Sequence, residues 1–375
     1  MIYLDYAANT PVDEEVLKTF CGVSASYIAN PNSGHAAGRA AKERMDSSTA
    51  GIAAMLGAKP SEIIYTSGAS ESNNLAIKGI AGAYKKYGKH IITTYLEHSS
   101  VTGAVTALQN AGYEVEFADI LENGQVDLQN LKELIREDTI LVSVCCVDSE
   151  IGIRQPVEEI GEMLSAYPHC FFHVDATQAI GKIPVSLENI DLLTFAPHKF
   201  YGLNGSGILY KKENVMLEPL IHGGMSTSAY RSGTPALALA AAAEKALSLA
   251  LENRQEKYDA VLRLNRKLRE ALGGYQGVTI NSTEKSVPFI LNISIKGIQT
   301  ERLAEELGKS EIYVSTKSAC CAPNTASRPV YALTKDRKRA LSTLRISLSH
   351  RTTAEEIDAF LAAFDRCCKI LLERG

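Results

Sequence analysis

The sequence predicts an α/β protein: a mainly parallel sheet with helices on both faces, followed by a smaller α+β unit. Three observations carry this. From Ile63 onward, short apolar runs alternate with helix-length amphipathic patterns, the rhythm of βαβ units. At 375 residues the chain exceeds what one hydrophobic core usually holds, so two domains are expected. Beyond Gly273-Gly274 the rhythm changes, and short strands and helices no longer alternate regularly.

In chain order, residues 1–15 read as an extended lead with turn-forming Asn9, Thr10 and Pro11. Asn30 to His35 is a loop dense in turn residues, followed by a helical pattern over 38–56. Seven apolar runs read as strands: 63–66, 90–94, 114–118, 139–147, 171–174, 192–196 and 207–210. Helical patterns at 72–87, 99–111, 128–135 and 157–166 lie between most of them. A single long helix is predicted from Thr234 to about Leu272, because no glycine or proline interrupts it after its first turn. The last part offers strands at 278–281, 289–295, 312–315 and 344–349, with helices at 301–307 and 354–372. The expected division is an N-terminal segment 1–15 packing with the small domain, a large domain 16–255 and a small domain 256–375.

Hydrophobic residues make up 45% and charged residues 22%, an ordinary globular balance. A net charge of −4 gives no reason to expect nucleic acid or an anionic membrane as partner. No run approaches the roughly 20 apolar residues of a membrane helix, and the first residues lack a signal-type pattern. A cytoplasmic protein is the expectation. Six of the eight cysteines form adjacent pairs, and no CxxC spacing suggests zinc. Most read as small core residues in a reducing compartment.

Two strand ends offer chemistry. Asp175 follows the run 171–174, and His198 and Lys199 follow 192–196. In open α/β sheets ligands bind beyond the carboxyl ends of strands, so an acid and a lysine meet at one crevice. The pair suits a lysine holding a carbonyl cofactor as a Schiff base while the acid keeps the ring nitrogen protonated. Thr66-Ser67-Gly68-Ala69-Ser70-Glu71 follows a strand and opens a helix; Ala69 and Ser70 there suit a phosphate, and Ser70 equally suits an N-cap. His98, in Glu97-His98-Ser99-Ser100, can stack on a flat ring or be structural. Thr234, before Pro235, can cap the long helix or bind a phosphate. Cys320, in Ser318-Ala319-Cys320-Cys321, is a thiol in a small-residue loop open to reaction. Arg345, between apolar residues of a strand, must pair with an anion, either a substrate carboxylate or an internal acid.

These stretches carry a resemblance. LDYAANTPVD at 4–13, NPNSGHAAGRAA at 30–41, TSGASESNNLAIKG at 66–79, LEHSSV at 96–101, HVDATQAIGK at 173–182, HKFYG at 198–202, RSGT at 231–234, SAC at 318–320 and LRISL at 344–348 together resemble a cysteine desulfurase. That family consists of pyridoxal-phosphate enzymes of the class V aminotransferase fold (fold type I). The resemblance implies a homodimer acting on L-cysteine, with the active sites at the subunit interface. Lys199 would form the Schiff base and later take the substrate's Cα proton. Asp175 would pair with the ring nitrogen, His98 would stack on the ring, and Gln178 would bond the ring oxygen. Ala69, Ser70 and His198 would hold the phosphate, joined by Thr234 from the other subunit. Arg345 would bind the substrate carboxylate. Cys320 would take the sulfur as a persulfide, for passage to an acceptor protein in iron–sulfur cluster or thio-cofactor synthesis, leaving alanine.

The sequence departs from that family in places. Ser149 stands where an asparagine touching the ring oxygen and substrate carboxylate is usual, and Ala196 where a phosphate-binding serine is usual. A missing hydrogen bond of this charged kind costs roughly 1.5–3 kcal/mol. These changes leave room for selenocysteine or cysteine sulfinate as substrate, or for a non-catalytic relative in sulfur trafficking.

Overall fold

The computed structural model describes residues 1–317 and 325–373. The chain opens with strand β1 (Ile2–Tyr3) and helices α1 (Glu14–Ser26) and α2 (Ala36–Leu56). Then follow β2 (Ile63–Thr66), α3 (Ala69–Tyr84), β3 (His90–Thr94), α4 (Ser99–Asn110), β4 (Glu114–Ala118), α5 (Leu128–Leu134) and β5 (Thr139–Cys145). The rhythm continues through α6 (Val157–Leu164), β6 (Phe171–Asp175), β7 (Leu192–Phe195) and β8 (Gly207–Lys211). The strands β2 to β8 form one seven-stranded sheet in the order β2-β8-β7-β6-β5-β3-β4. Only the pairings of β8, with β2 and with β7, are antiparallel.

The continuous apolar runs have a simple cause. Side chains alternate across a strand, and here both faces are covered. Ile91, Leu141, Leu192 and Leu209 pack with α3 and α4, whereas their neighbours Ile92, Val142, Leu193 and Ile208 join the core on the opposite face. The polar residues these strands do carry are bonded to one another inside the sheet: Ser143 Oγ lies 2.8 Å from His173 Nδ1, and His173 Nε2 lies 3.1 Å from Thr194 Oγ1. The carboxyl ends of β3, β5, β6 and β7 lie along one edge, because these four run parallel.

Two helices follow, α7 (Leu237–Leu251) and α8 (Arg254–Gly273). The single long helix predicted over 234–272 is therefore corrected. Asn253 adopts the left-handed conformation at φ 49 and breaks it, and asparagine tolerates that region without glycine's help. Thr234 is not the cap either: α7 starts at Leu237, with Ala236 before it. Nor is Ser70, since Gly68 holds the cap position of α3. The lead is also shorter than expected, because α1 begins at Glu14 with Asp13 as its cap.

The rest comprises β9 (Val278–Ile280), β10 (Ile290–Ile295), α9 (Thr300–Gly308), β11 (Ile312–Tyr313), α10 (Arg328–Thr334), α11 (Arg337–Leu341), β12 (Thr343–Ser347) and α12 (Ala354–Glu373). β12, β10 and β9 form an antiparallel sheet. Helices α10 and α11 went unread in the sequence; both are short, capped by Ser327 and Asp336 rather than announced by a long periodic pattern. The N-terminus joins this part: β1 pairs with β11, and Ser347 N donates to Leu4 O at 2.8 Å. The same strap then crosses to the large sheet, where Thr10 N donates to His198 O at 3.0 Å.

Candidate active site

The site is built at the shared strand edge. β6 ends on Asp175, which is buried. Its Oδ1 accepts from Thr177 N at 3.0 Å, and its Oδ2 accepts from Asn73 Nδ2 at 2.8 Å. β7 ends at Phe195, and a turn of 3-10 helix (Pro197–Lys199) carries His198 and Lys199 out from it. Lys199 Nζ donates to Ala7 O at 2.8 Å and to Ala8 O at 2.6 Å. The N-terminal strap therefore holds this amine between the two parts of the fold.

Facing these groups is the start of α3. The first amides of a helix have no intrahelical acceptor and carry its positive end, so Ala69 and Ser70 present donors suited to an anion. Gly207 makes this approach possible. A Cβ there would lie 2.3 Å from the Gly68 carbonyl carbon, so only glycine lets β8 pass behind the turn.

β3 leads to His98, the cap of α4. His98 Nδ1 accepts from Ser100 N at 3.2 Å and lies 2.8 Å from Ser100 Oγ. Burial pushes its pKa down, so the ring is neutral with its proton on Nε2. Ser100 Oγ also accepts from Asn73 Nδ2 at 2.9 Å. One asparagine thus ties the histidine platform to the acid.

Ser149 sits on a turn fixed by Asp148, whose carboxylate accepts backbone N–H bonds from Glu150, Ile151 and Ile153. The Ser149 carbonyl accepts from Arg345 Nη1 at 2.8 Å, while Arg345 Nη2 pairs with Asp5 Oδ1 at 2.8 Å. The internal acid left open for Arg345 in the sequence is therefore Asp5, and Arg345 still lines the cavity. Gln178 donates from Nε2 to Ala7 O at 2.9 Å and accepts from Lys182 Nζ at 2.8 Å.

These groups surround one cavity of about 350 Å³. Ala69, Ser70, His98 and Ser149 line it, together with Asp175, Gln178, His198, Lys199 and Arg345. His198 is pushed down to about 4 by burial and by Lys199 and Lys182, so it offers a neutral ring. Thr234 is not among the lining residues; it faces a smaller cavity with Ser67 and Arg231. Ala196 is buried and also outside the lining, consistent with its having no polar role there. Cys320 and Cys321 lie outside the described residues.

Three residues of the site were not singled out in the sequence: Asn73, Asp5 and Glu97. Asn73 reads as one polar residue among several in a helix, and its partner is far along the chain. Glu97 is fully buried, and burial raises its pKa to about 8. Its Oε1 accepts from Thr94 Oγ1 at 2.7 Å and from Cys145 N at 3.0 Å. Its Oε2 has no partner among the described residues, which fits a protonated carboxyl.

The residues fit a flat, phosphorylated pyridine aldehyde. The cavity offers an amine, an acid at a strand end, a neutral ring and a helix N-terminus, and among the described residues no cluster could hold a metal. No described helix is long and apolar enough to cross a membrane.

Comparison with known proteins agrees. The family description "Aminotransferase class-V" matches residues 2–360. A "NifS/IcsS protein homolog" from Lactobacillus delbrueckii subsp. bulgaricus is 41% identical over 97% of this chain and 96% of its own length. The "Cysteine desulfurase IscS" of Neisseria gonorrhoeae is 40% identical over 95% of this chain and 89% of its own. Among solved structures, a "NifS-like protein" superposes with a TM-score of 0.92 at 35% identity, covering 99% of this chain and 100% of that one.

Proposed function

The chain belongs to the class-V aminotransferase family, and on that premise we propose that it is a pyridoxal-phosphate-dependent cysteine desulfurase. It converts L-cysteine to L-alanine and takes the sulfur onto Cys320. The observation that carries this is the meeting of Lys199, Asp175 and the α3 N-terminus in one cavity, from three separate strand ends.

When bound, the cofactor supplies an electron sink that makes the substrate's Cα–H and Cβ–S bonds labile. The chain's part is binding, orientation and proton handling. Lys199 would hold the cofactor, and its Nζ would be the base that takes and returns a proton at the substrate Cα. Asp175 keeps its carboxylate against the ring nitrogen, and Asn73 fixes that carboxylate in place. Neutral His98 covers one ring face. Ala69 and Ser70 grip the phosphate, with His198 beside them. Gln178 donates to the ring oxygen. Arg345 draws the substrate carboxylate to the cavity wall beside Ser149.

We place the sulfur step on Cys320, passing sulfur to an acceptor protein that serves iron–sulfur cluster or thio-cofactor synthesis. The chain works as a homodimer, with the partner subunit's Thr234 completing the phosphate grip. Two facts support this. Thr234 does not line its own chain's cofactor cavity, and the segment before it exposes Leu220, Ile221 and Met225. The setting is cytoplasmic and reducing, in keeping with the described cysteines all being free thiols.

The test combines product and adduct. Protein with bound cofactor is mixed with L-cysteine and a reductant, and alanine and sulfide are measured. Without reductant, a mass spectrum shows a gain of one sulfur, about 32 Da, mapped to Cys320. Holoprotein that forms no alanine from cysteine overturns the proposal; a persulfide confined to Cys321 moves the nucleophile by one residue.

A further inference from the structure

Lys182 Nζ donates to the Gln178 side chain and forms no ion pair among the described residues. It lines a second cavity of about 300 Å³ together with Lys199, and a third of about 590 Å³ together with Glu158, Glu159 and Glu284. Burial pushes its pKa down to about 7, helped by repulsion from Lys199 and Arg345. Its nearest ring is Phe289, with the ammonium 6.0 Å from the centroid. Its hydrogen-bond acceptor is the Gln178 side chain, at 2.8 Å. A lysine in such a place, four residues beyond Gln178 in the turn after β6, calls for a reason.

The Gln178 amide supplies it. A protonated lysine can only donate, and a backbone carbonyl can only accept. Lys182 Nζ therefore selects Oε1, and Ala7 O selects Nε2 at 2.9 Å. The two contacts agree and exclude the flipped amide. Gln178 and Ala7 both line the cofactor cavity, and Lys182 does not. The oxygen is thus drawn away from the cavity, and the NH2 is kept at its wall with one N–H still to give. Without Lys182 only Ala7 O opposes the flip that turns the amide oxygen toward the cofactor's ring oxygen, where two acceptors would repel.

We infer that Lys182 is a positioning residue that fixes the Gln178 amide with its NH2 toward the cofactor's ring oxygen. This rests on the cofactor reading above and adds a residue that acts through another. Donation to the ring oxygen favours its anionic form, so the arrangement lowers the pH at which the bound cofactor loses its shared proton.

The test is a double-mutant cycle on pyridoxal phosphate binding, read by visible absorbance during titration. Lys182→Met weakens binding about tenfold and raises the pH midpoint of the absorbance band by about half a unit to one unit. Gln178→Ala does the same, and the double variant is no worse than Gln178→Ala alone, because the two residues act as one. Gln178→Glu keeps a partner for Lys182 but brings no N–H to Ala7 O or to the ring oxygen, so it also weakens cofactor binding. Additive losses in the cycle, or wild-type binding by Lys182→Met or Gln178→Glu, overturn the inference. Wild-type protein that gains no visible band overturns the cofactor reading instead.

Discussion

Asn73 Nδ2 donates to Asp175 Oδ2 at 2.8 Å, joining helix α3 to the end of β6, 102 residues later. The same nitrogen reaches Ser100 Oγ at 2.9 Å, and Ser100 holds His98. The acid and the ring platform are thus set by one side chain that would itself touch neither substrate nor cofactor.

Asn73→Ala removes a hydrogen bond to a charged group. Such a bond is worth roughly 1.5–3 kcal/mol, so pyridoxal phosphate binding is expected to weaken about 10- to 100-fold. Equilibrium titration of the cofactor checks this. Unchanged binding would show that Asp175 keeps its place without help.

Arg345 is buried and pairs with Asp5 across the N-terminal strap. Asp5→Ala leaves that guanidinium without its carboxylate, and the expected loss of stability is about 3 kcal/mol. Urea unfolding with an unchanged m-value measures it. A loss below about 1 kcal/mol would mean that the Ser149 carbonyl alone satisfies Arg345.

Glu97 makes a prediction about pH. Its pKa is raised from the usual 4.5 to about 8 by burial, so between those values it keeps a proton when folded and loses it when unfolded. Its contribution is complete below about 4.5 and is lost as pH rises through 8, at up to about 1.4 kcal/mol per pH unit. His98 and His198, both lowered, work in the opposite sense at acid pH, so the comparison must be with a variant. Relative to Glu97→Gln, the wild type should lose stability steadily between pH 5 and 8. Parallel melting curves for the two proteins across that range would contradict the buried neutral acid.

Gly207→Ala sets a methyl group against the Gly68 backbone, at the turn that opens α3. Overpacking of this kind costs about 1–3 kcal/mol, and the displaced turn should also loosen the phosphate grip. Thermal melting and the rate of cofactor loss on dilution are the measurements. A variant that melts like the wild type and retains cofactor equally well would show that the turn is not held by β8.

The sequence by itself determined the strand rhythm, because strands covered on both faces become apolar runs. It also picked out Asp175, Lys199, His98 and the Ala69-Ser70 turn, since polar groups just past the carboxyl ends of strands face the crevice where an open sheet binds ligands. What it left undetermined depends on partners far along the chain. The helix over 234–272 contains no residue that forbids continuation, and the left-handed turn at Asn253 shows only in the folded chain. Arg345 needed an anion, but only the folding of the N-terminal strap onto β12 identified it as Asp5. Asn73 and Glu97 carry no local signal at all: one is a polar residue on a helix, the other an acid beside a histidine. Their roles appear only when α3, β3 and β5 bring them to one edge, where burial decides which groups are charged.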